Sequence, residues 1–200
     1  MQQKGTLMVV SGPAGVGKGT VVKRACELAE GKIHLSISAT TRAPRPIDAE
    51  GVTYYFKTKD EFRRMIDENE VLEWAEYVGN YYGTPRKPVE DALSRGLDVI
   101  LEIEVQGAMQ IKKNFPDAVL TFIAPPSYEE LEKRLRGRGT ETEEQILSRL
   151  ETAKGELALM SEYDYIIVND EIEQASCDII TVLRADKLTK KNQKTYFKNQ

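Results

Sequence analysis

Residues 12–20 read Gly12-Pro13-Ala14-Gly15-Val16-Gly17-Lys18-Gly19-Thr20. This stretch follows the apolar run 7–10 and precedes the helix-forming run 21–28, so it predicts a strand, a glycine-rich turn and a helix in that order. Glycine permits positive φ angles that turn backbone N–H groups toward an anion, and the new helix adds its positive N-terminal end. The stretch therefore predicts a loop that binds nucleotide phosphates, with Lys18 reaching the outer ones.

The loop departs from the G-x-x-x-x-G-K-[S/T] pattern at one position. Gly19 stands where Ser or Thr usually ligates Mg²⁺, and the hydroxyl follows one residue later, at Thr20. A second candidate metal residue is Glu102, which follows the apolar run 99–101. Open α/β sheets bind ligands at the carboxyl ends of their strands, so Glu102 is a candidate for holding Mg²⁺ through water; a surface carboxylate at a strand end is the alternative.

Length and composition indicate one domain with a sizeable core. The chain has 200 residues, of which 40% are hydrophobic and 30% charged, which is ordinary for a soluble protein. No apolar run approaches the roughly 20 residues of a membrane span, and the first residues lead into a strand without the apolar segment of a signal peptide. We therefore expect a cytoplasmic protein without a membrane partner.

Charge and cysteine content argue against a nucleic-acid-binding protein, a disulfide-rich protein and a cysteine metal cluster. The net charge of −4 argues against a general nucleic-acid binder, which usually carries a basic excess. Cys26 and Cys177 lie far apart in two predicted helices, so they form neither a disulfide framework nor a metal cluster. Both are predicted to be buried as small apolar residues.

Residues 38–84 differ in character from their surroundings and look like an inserted lobe. A short strand is predicted at 33–38, followed by a loop at 39–46 whose two prolines exclude regular structure. Beyond it come a short aromatic strand at 54–56, a helix that opens on the capping box of Thr58 and Glu61, and an extended segment at 71–78. Arg42 and Arg45 make the loop cationic; solvated surface arginines are the simpler alternative.

The second half alternates predicted strands and helices. Strands are predicted at 97–104, 118–124 and 165–170, the last one buried, and helices at 88–95, 105–114 and 172–183. A capping box at Ser127 opens a helix that Gly137 and Gly139 break, and a second cap at Thr140 or Thr142 opens a long helix. The tail from Asp186 is predicted to be a frayed, solvated terminus.

Arginines flank the two glycines of this break. Arg134 and Arg138 lie near the end of the first helix and Arg149 lies on the second. Guanidinium groups match phosphate oxygens in a bidentate way, so the arrangement suggests a lid that closes over phosphates. An ordinary charged helix face is the alternative.

These segments together resemble the guanylate kinase family. The resemblance covers about residues 5–185 and rests on seven segments that occur in the family's order: 12–20, 38–45, 73–75, 79–83, 102–107, 134–140 and 168–170. It implies an α/β fold, with a P-loop NTPase-type parallel sheet flanked by helices, an inserted GMP-binding lobe and a helical lid. The implied single domain comprises a core (1–37, 85–133 and 150–185), a lobe (38–84), a lid (134–149) and a basic tail (186–200).

By this resemblance the protein is an enzyme that transfers the γ-phosphoryl group of ATP to GMP, and to dGMP, with Mg²⁺. The implied ATP-binding residues are 12–20 with Asn169 and Asp170. The implied GMP-binding residues are Ser38, Arg42, Arg45, Tyr54, Glu73, Tyr82, Thr84 and Glu104. The implied catalytic residues are Lys18, Arg42, Arg134, Arg138 and Arg149, and the implied metal residues are Thr20 and Glu102.

The chemistry of guanine agrees with this assignment. Its Watson–Crick edge offers N1–H and N2–H₂ as donors, so one carboxylate such as Glu73 can accept from both, while Ser38 and Thr84 can donate to O6. Adenine presents an acceptor at N1, which would face the carboxylate. A buried site built for hydrogen bonds rejects an analogue that leaves them unpaired by up to ~10⁴-fold, so GMP is expected over AMP.

Some residues depart from the family's pattern, and two other functions are alternatives. Ala14 stands where the family often has Ser, and Glu102 and Glu104 stand where many members have Asp. An interaction module that has lost catalysis would be favoured by loss of Lys18 or the clamp arginines, all of which are present. A GTPase switch is disfavoured because the sequence has no N-K-x-D motif and its D-x-x-G, at 48–51, lies in the proline-rich loop.

Overall fold

The computed structural model describes residues 4–137, 142–189 and 192–193. The described elements are, in chain order, β1 (Leu7–Ser11), α1 (Lys18–Leu28), β2 (Ile33–Leu35), β3 (Ala39–Thr40), β4 (Tyr55–Phe56), α2 (Lys59–Asp67), β5 (Val71–Tyr77), β6 (Asn80–Pro85), α3 (Arg86–Ser94), β7 (Asp98–Glu102), α4 (Val105–Asn114), β8 (Val119–Ala124), α5 (Tyr128–Gly137), α6 (Glu143–Ala158), a short 3₁₀ turn (Met160–Glu162), β9 (Tyr165–Val168) and α7 (Ile172–Lys187). None of these helices is long and apolar enough to cross a lipid bilayer.

The main sheet has five parallel strands in the order β2-β7-β1-β8-β9. Successive residues of a strand point to opposite faces, and both faces of β1 are covered. Met8 and Val10 pack in one core cluster with α1, α5, α6 and α7, whereas Val9 packs in a second with α3 and α4. The α/β prediction is confirmed, and the parallel arrangement brings the ends of β1 and β7 to one edge of the sheet.

A second sheet is formed by the segment between residues 39 and 85. Its strand order is β4-β3-β6-β5, with β3 parallel to β4 and antiparallel to β6. A small core supports it, in which Phe62 of α2 stacks on Tyr81 at a ring-centroid distance of 5.5 Å. The capping box of Thr58 and Glu61 opens α2 as predicted.

The exclusion of regular structure from 39–46 is wrong at its first two residues. Ala39 and Thr40 form β3, which lies between β4 and β6 in the second sheet. The prolines follow only at positions 44 and 46, so they leave the backbone N–H groups of β3 intact.

Two predictions of burial are also wrong. Strand β9 lies at the edge of the main sheet, and Tyr165, Ile166 and Val168 are 38%, 52% and 51% exposed. An apolar four-residue run looks the same in sequence whether one or two neighbours flank it. Cys177 is exposed and Cys26 only partly buried.

The tail does not fray at Asp186. Helix α7 continues through Lys187, whose Nζ donates to Asp98 Oδ2 at 2.6 Å. Thr6 joins both ends: its backbone N–H donates to Asp98 Oδ1 and its hydroxyl donates to Asp186 Oδ2, each at 2.9 Å. Asn192 Nδ2 donates to Asp186 as well. The start of the tail is therefore held beside the N-terminal ends of β1 and β7.

Candidate active site

The glycine-rich loop joins β1 to α1 and has the backbone that its sequence predicts. Gly12 and Gly17 adopt φ angles of 143° and 91°. A Cβ on Gly12 would lie 2.2 Å from the carbonyl oxygen of Ile123, so no side chain fits there. Lys18 Nζ donates to the carbonyl oxygens of Gly12 and, at 3.2 Å, Pro13. The ammonium group thus lies over the loop whose N–H groups and helix end attract an anion.

Asn169, at the end of β9, supports this loop. Its Nδ2 donates to the carbonyl oxygen of Val16 at 2.7 Å, and its side chain lies against Gly17. Arg134 Nη1 donates to the carbonyl oxygen of Asn169 at 3.0 Å, while its Nε donates to Glu130 at 3.2 Å. Arg134 is therefore held beside the loop. Asp170 follows Asn169 and is exposed.

Glu102 lies against the first turn of α1. A Cβ on Gly19 would be 3.3 Å from Glu102 Oε1, so glycine leaves room for the carboxylate. Burial raises the pKa of Glu102, which Lys18 lowers and Glu104 raises. Thr20 is exposed in the same turn. Carboxylate and hydroxyl oxygens are donors that suit Mg²⁺, and the residues present fit that ion.

The predicted metal residues do not form an all-protein cage. Among the described residues, no group of three or more His, Cys, Asp or Glu side chains could hold a metal ion. Mg²⁺ in phosphoryl-transfer sites is usually held by one or two protein groups together with substrate phosphates and water. The geometry suits an ion that arrives with a nucleotide.

Arg42 is fixed in a cage of rings and oxygens. Its guanidinium lies 5.4 Å from the ring centroid of Tyr54, and Nη1 donates to the carbonyl oxygen of Ala43 at 2.9 Å. Nη2 lies 2.9 Å from Asp48 Oδ2. Tyr54 and Tyr82 pack edge to face at 6.1 Å. Three of the predicted clamp residues thus lie together, and Arg45 is exposed next to them.

Glu73 lies buried in the second sheet, with only 5% of its surface exposed. Thr84 Oγ1 donates to Glu73 Oε1 at 2.7 Å, and burial raises the pKa of Glu73 while this hydrogen bond lowers it. The other oxygen, Oε2, lies against Gly107, where a Cβ would be 2.4 Å away. The structure thus brings together two residues that were each predicted to contact guanine, and the Thr84 hydroxyl, predicted to donate to O6 of guanine, donates to Glu73 instead.

The remaining predicted residues are Ser38, Glu104, Arg149 and Arg138. Ser38 is half-buried between β2 and β3, and Glu104 is exposed as the N-cap of α4. Arg149 lies in α6. Arg138 falls outside the described residues, so its predicted role stays a prediction.

Two residues near the site were not identified from the sequence. Asp48 binds Arg42, but its only sequence signal was the unrelated D-x-x-G match. Glu156 of α6 is half-buried, and burial with repulsion from Glu104 raises its pKa to about 7, against an opposing effect of Lys18. Its sequence signal was a carboxylate beside the apolar stripe of Ala153 and Leu157.

Sequence comparison with known proteins finds guanylate kinases as relatives of this chain. A family model described as guanylate kinase matches residues 4–186. The guanylate kinase of Streptococcus pneumoniae is 52% identical over 186 residues, covering 93% of this chain and 89% of that protein. The guanylate kinase of Oceanobacillus iheyensis is 49% identical over 188 residues, covering 94% and 91%.

The structural comparison agrees. The crystal structure of guanylate kinase from Anaplasma phagocytophilum superposes with a TM-score of 0.76 at 36% sequence identity, covering 95% of this chain and 90% of that one. The family match spans nearly the whole chain and the curated relatives are about half identical to it, so this chain belongs to the guanylate kinase family.

Proposed function

We infer that this protein transfers the γ-phosphoryl group of ATP to GMP, giving ADP and GDP, and that it accepts dGMP as well. The observation that carries this inference is the buried carboxylate of Glu73. It is 5% exposed and is hydrogen-bonded by Thr84, and no ion pair to it is present in residues 4–137 or 142–189. A buried carboxylate that no cation neutralises suits the two N–H donors on guanine's Watson–Crick edge.

The donor side of the proposed site is the glycine-rich loop. Its N–H groups and the start of α1 would hold the phosphates of ATP, and Lys18 would exchange its loop carbonyl partners for phosphate oxygens. Phosphoryl transfer needs mostly positioning and charge stabilisation. Lys18 and the lid arginines Arg134, Arg138 and Arg149 would share the charge on the transferring group.

The acceptor side is the cage around Arg42. Arg42 and the neighbouring Arg45 would bind the phosphate of GMP in a bidentate way, and the hydroxyls of Tyr54 and Tyr82 would donate to its remaining oxygens. Tyr54 lies within electrostatic range of Glu102, which in turn lies against Gly19. This proximity supports a common cleft for the two phosphates.

Family members use ATP with a divalent metal, and we propose Mg²⁺ for this protein. Glu102 and Thr20 would hold it, with water between where reach is short. When bound with ATP, Mg²⁺ supplies positive charge to the phosphate oxygens. Glu102 also lies within electrostatic range of Lys18, which lowers the pKa that burial raises.

The proposed function is tested by measuring ADP release with ATP, Mg²⁺ and each of GMP, dGMP, AMP and UMP. We expect turnover with GMP and dGMP, and a kcat/KM for AMP lower by ~10³-fold or more, because adenine would leave Glu73 unpaired. Equal turnover of AMP and GMP would refute Glu73 as the guanine reader. Absence of turnover with every acceptor would refute the proposed reaction.

A further inference from the structure

We propose that Gln110 is a positioning residue for guanine recognition, because its side chain fixes the strand segment that carries Glu73. Gln110 lies on α4 and touches neither of the proposed phosphate sites. The inference rests on the proposed function, since it concerns how Glu73 is aimed at a guanine base.

Glu73 lies at an irregular point of its strand. Residue Val71 of β5 pairs with Pro85 of β6, but Trp74 pairs with Gly83, so the register shifts between them. Such an irregularity re-aims a side chain and weakens the local ladder. Strand β5 is also the edge of its sheet, so only β6 holds its backbone from within the sheet.

Gln110 supplies the missing neighbour on the open edge. Its Nε2 donates to the carbonyl oxygen of Trp74 at 2.7 Å, and its Oε1 accepts from the backbone N–H of Trp74 at 3.2 Å. Both backbone groups of Trp74 therefore point away from β6. A carboxamide offers one donor and one acceptor in the same arrangement as a peptide group. The side chain of Gln110 therefore makes the two hydrogen bonds that a residue of a neighbouring strand would make.

The same face of α4 also meets the carboxylate. Gly107 lies one turn before Gln110, and residues three apart share a helix face. The absence of a side chain at Gly107 admits Oε2 of Glu73. Ala108 and Ile111 bury the other side of α4 against the main sheet. The helix thus meets this segment twice, by the close approach of Gly107 to the Glu73 carboxylate and by the hydrogen bonds of Gln110 to the next residue, Trp74.

If Gln110 positions Glu73, its loss should weaken the binding of GMP and leave the binding of ATP unchanged. Gln110→Met keeps the length of the side chain and removes both hydrogen bonds to Trp74. We expect KM for GMP to rise about 10-fold, with kcat and KM for ATP unchanged. IMP lacks the 2-amino group that Glu73 would bind, so its KM should rise less, and the preference for GMP over IMP should fall.

The matched control is Gln174→Met. Gln174 lies on α7 and its side chain donates only to Asp178 among the described residues, so kinetics should equal those of the wild-type protein. Gln110→Glu serves as a second variant, because its carboxylate still accepts from the N–H of Trp74 but repels the carbonyl oxygen. It should weaken GMP binding at least as much as Gln110→Met.

A spectroscopic readout separates positioning from general damage. Trp74 is the only tryptophan in the chain, so its fluorescence reports directly on this strand. Gln110→Met should make Trp74 more accessible to acrylamide quenching and abolish part of its response to GMP, whereas Gln174→Met should not.

The experiments distinguish failure of the role of Gln110 from failure of the proposed function. Wild-type kinetics in Gln110→Met, or an equal loss for GMP, IMP and ATP, overturns the role of Gln110 and leaves the proposed function intact. A wild-type protein that does not phosphorylate GMP overturns the proposed function itself. If Gln110→Met fails to fold, the quenching and KM values of Gln110→Glu decide the question.

Discussion

Asp48 Oδ2 lies 2.9 Å from Nη2 of Arg42 and accepts the backbone N–H of Arg45 at 2.7 Å. One carboxylate oxygen therefore links the guanidinium of one clamp arginine to the backbone of the other. The N–H of Arg45, joined by the guanidinium of Arg42, lowers the pKa of Asp48. Asp48 thus adds a charged contact to the backbone hydrogen bonds that hold the loop between β3 and β4.

Asp48→Asn should weaken GMP binding. The amide can still accept from Arg45 but loses the charge-assisted contact with Arg42, which is stronger than a neutral one. We expect KM for GMP to rise about 10-fold, with KM for ATP unchanged. Steady-state kinetics with each substrate varied checks this, and the exposed Asp60→Asn is the control. An unchanged KM for GMP would contradict the role of Asp48.

Lys18→Ala should remove most turnover and leave the fold intact. The ammonium group contacts only loop carbonyl oxygens in the described structure, so its loss removes charge stabilisation rather than packing. We expect kcat to fall by ~10²–10³-fold and the thermal midpoint to stay close to that of the wild-type protein. Near-normal kcat would exclude Lys18 from the mechanism.

Glu73→Gln tests the guanine reader. A carboxamide presents one acceptor and one donor, so it cannot accept from both N1–H and N2–H₂. KM for GMP should rise by ~10²-fold, and discrimination against AMP should fall. Competition experiments with GMP and AMP measure the ratio. A variant that keeps the full preference for GMP would show that another group reads the base.

Glu156→Gln should change how stability depends on pH. Burial and Glu104 raise the folded-state pKa of Glu156 to about 7 against Lys18, and Tyr163 lies within electrostatic range of it. A raised carboxyl pKa favours the protonated form in the folded state, so wild-type stability is full below the unfolded pKa of about 4.3 and is lost as pH rises to about 7.

The variant lacks this loss. It should match the wild-type protein at pH ~4 and be more stable at pH ~8 by about 1 kcal/mol, a value reduced for the solvent screening of a half-buried group. Urea unfolding across this range checks the result. A difference in the free energy of unfolding that does not vary with pH would contradict the assigned cause.

Asp98→Asn should destabilise the fold without affecting catalysis. Asp98 is 5% exposed and accepts from Thr6 and Lys187, so the amide would set a donor against one of them. We expect a loss of about 2 kcal/mol in the free energy of unfolding, measured by urea denaturation. The exposed Asp91→Asn is the control. A loss of kcat at unchanged stability would count against this structural role.

The sequence predicts what depends on local pattern. The glycine-rich loop, the apolar run 99–101 and the capping box at Thr58 each carry their own signal, and the structure contains them. Of the two caps proposed for the long helix, Thr140 or Thr142, the structure has Thr142. The family resemblance and the chemistry of guanine predict Glu73 and Thr84 as two separate guanine contacts, whereas the hydrogen bond between them was not predicted.

The features that the sequence does not predict depend on contacts between residues far apart in the chain. Gln110 and Trp74 lie 36 positions apart and Asp98 and Lys187 lie 89 apart, and no local pattern records such pairs. The lysines of the tail look solvated until the buried carboxylate of Asp98 is known. The apolar run 165–168 predicts a buried strand, but the sequence does not show that β9 has only one neighbouring strand, so its exposure at the edge of the sheet was missed.

The hydrogen bonds of Thr6 to Asp186 and of Asn192 to Asp186 bring residues 6 and 192 close together, at the edge of the sheet opposite the phosphate loop. A linker between residues 6 and 192 would therefore have little distance to span, and a circular permutant could open new termini at the exposed turn between β5 and β6. A fluorophore attached near residue 192 would likewise stand clear of the nucleotides.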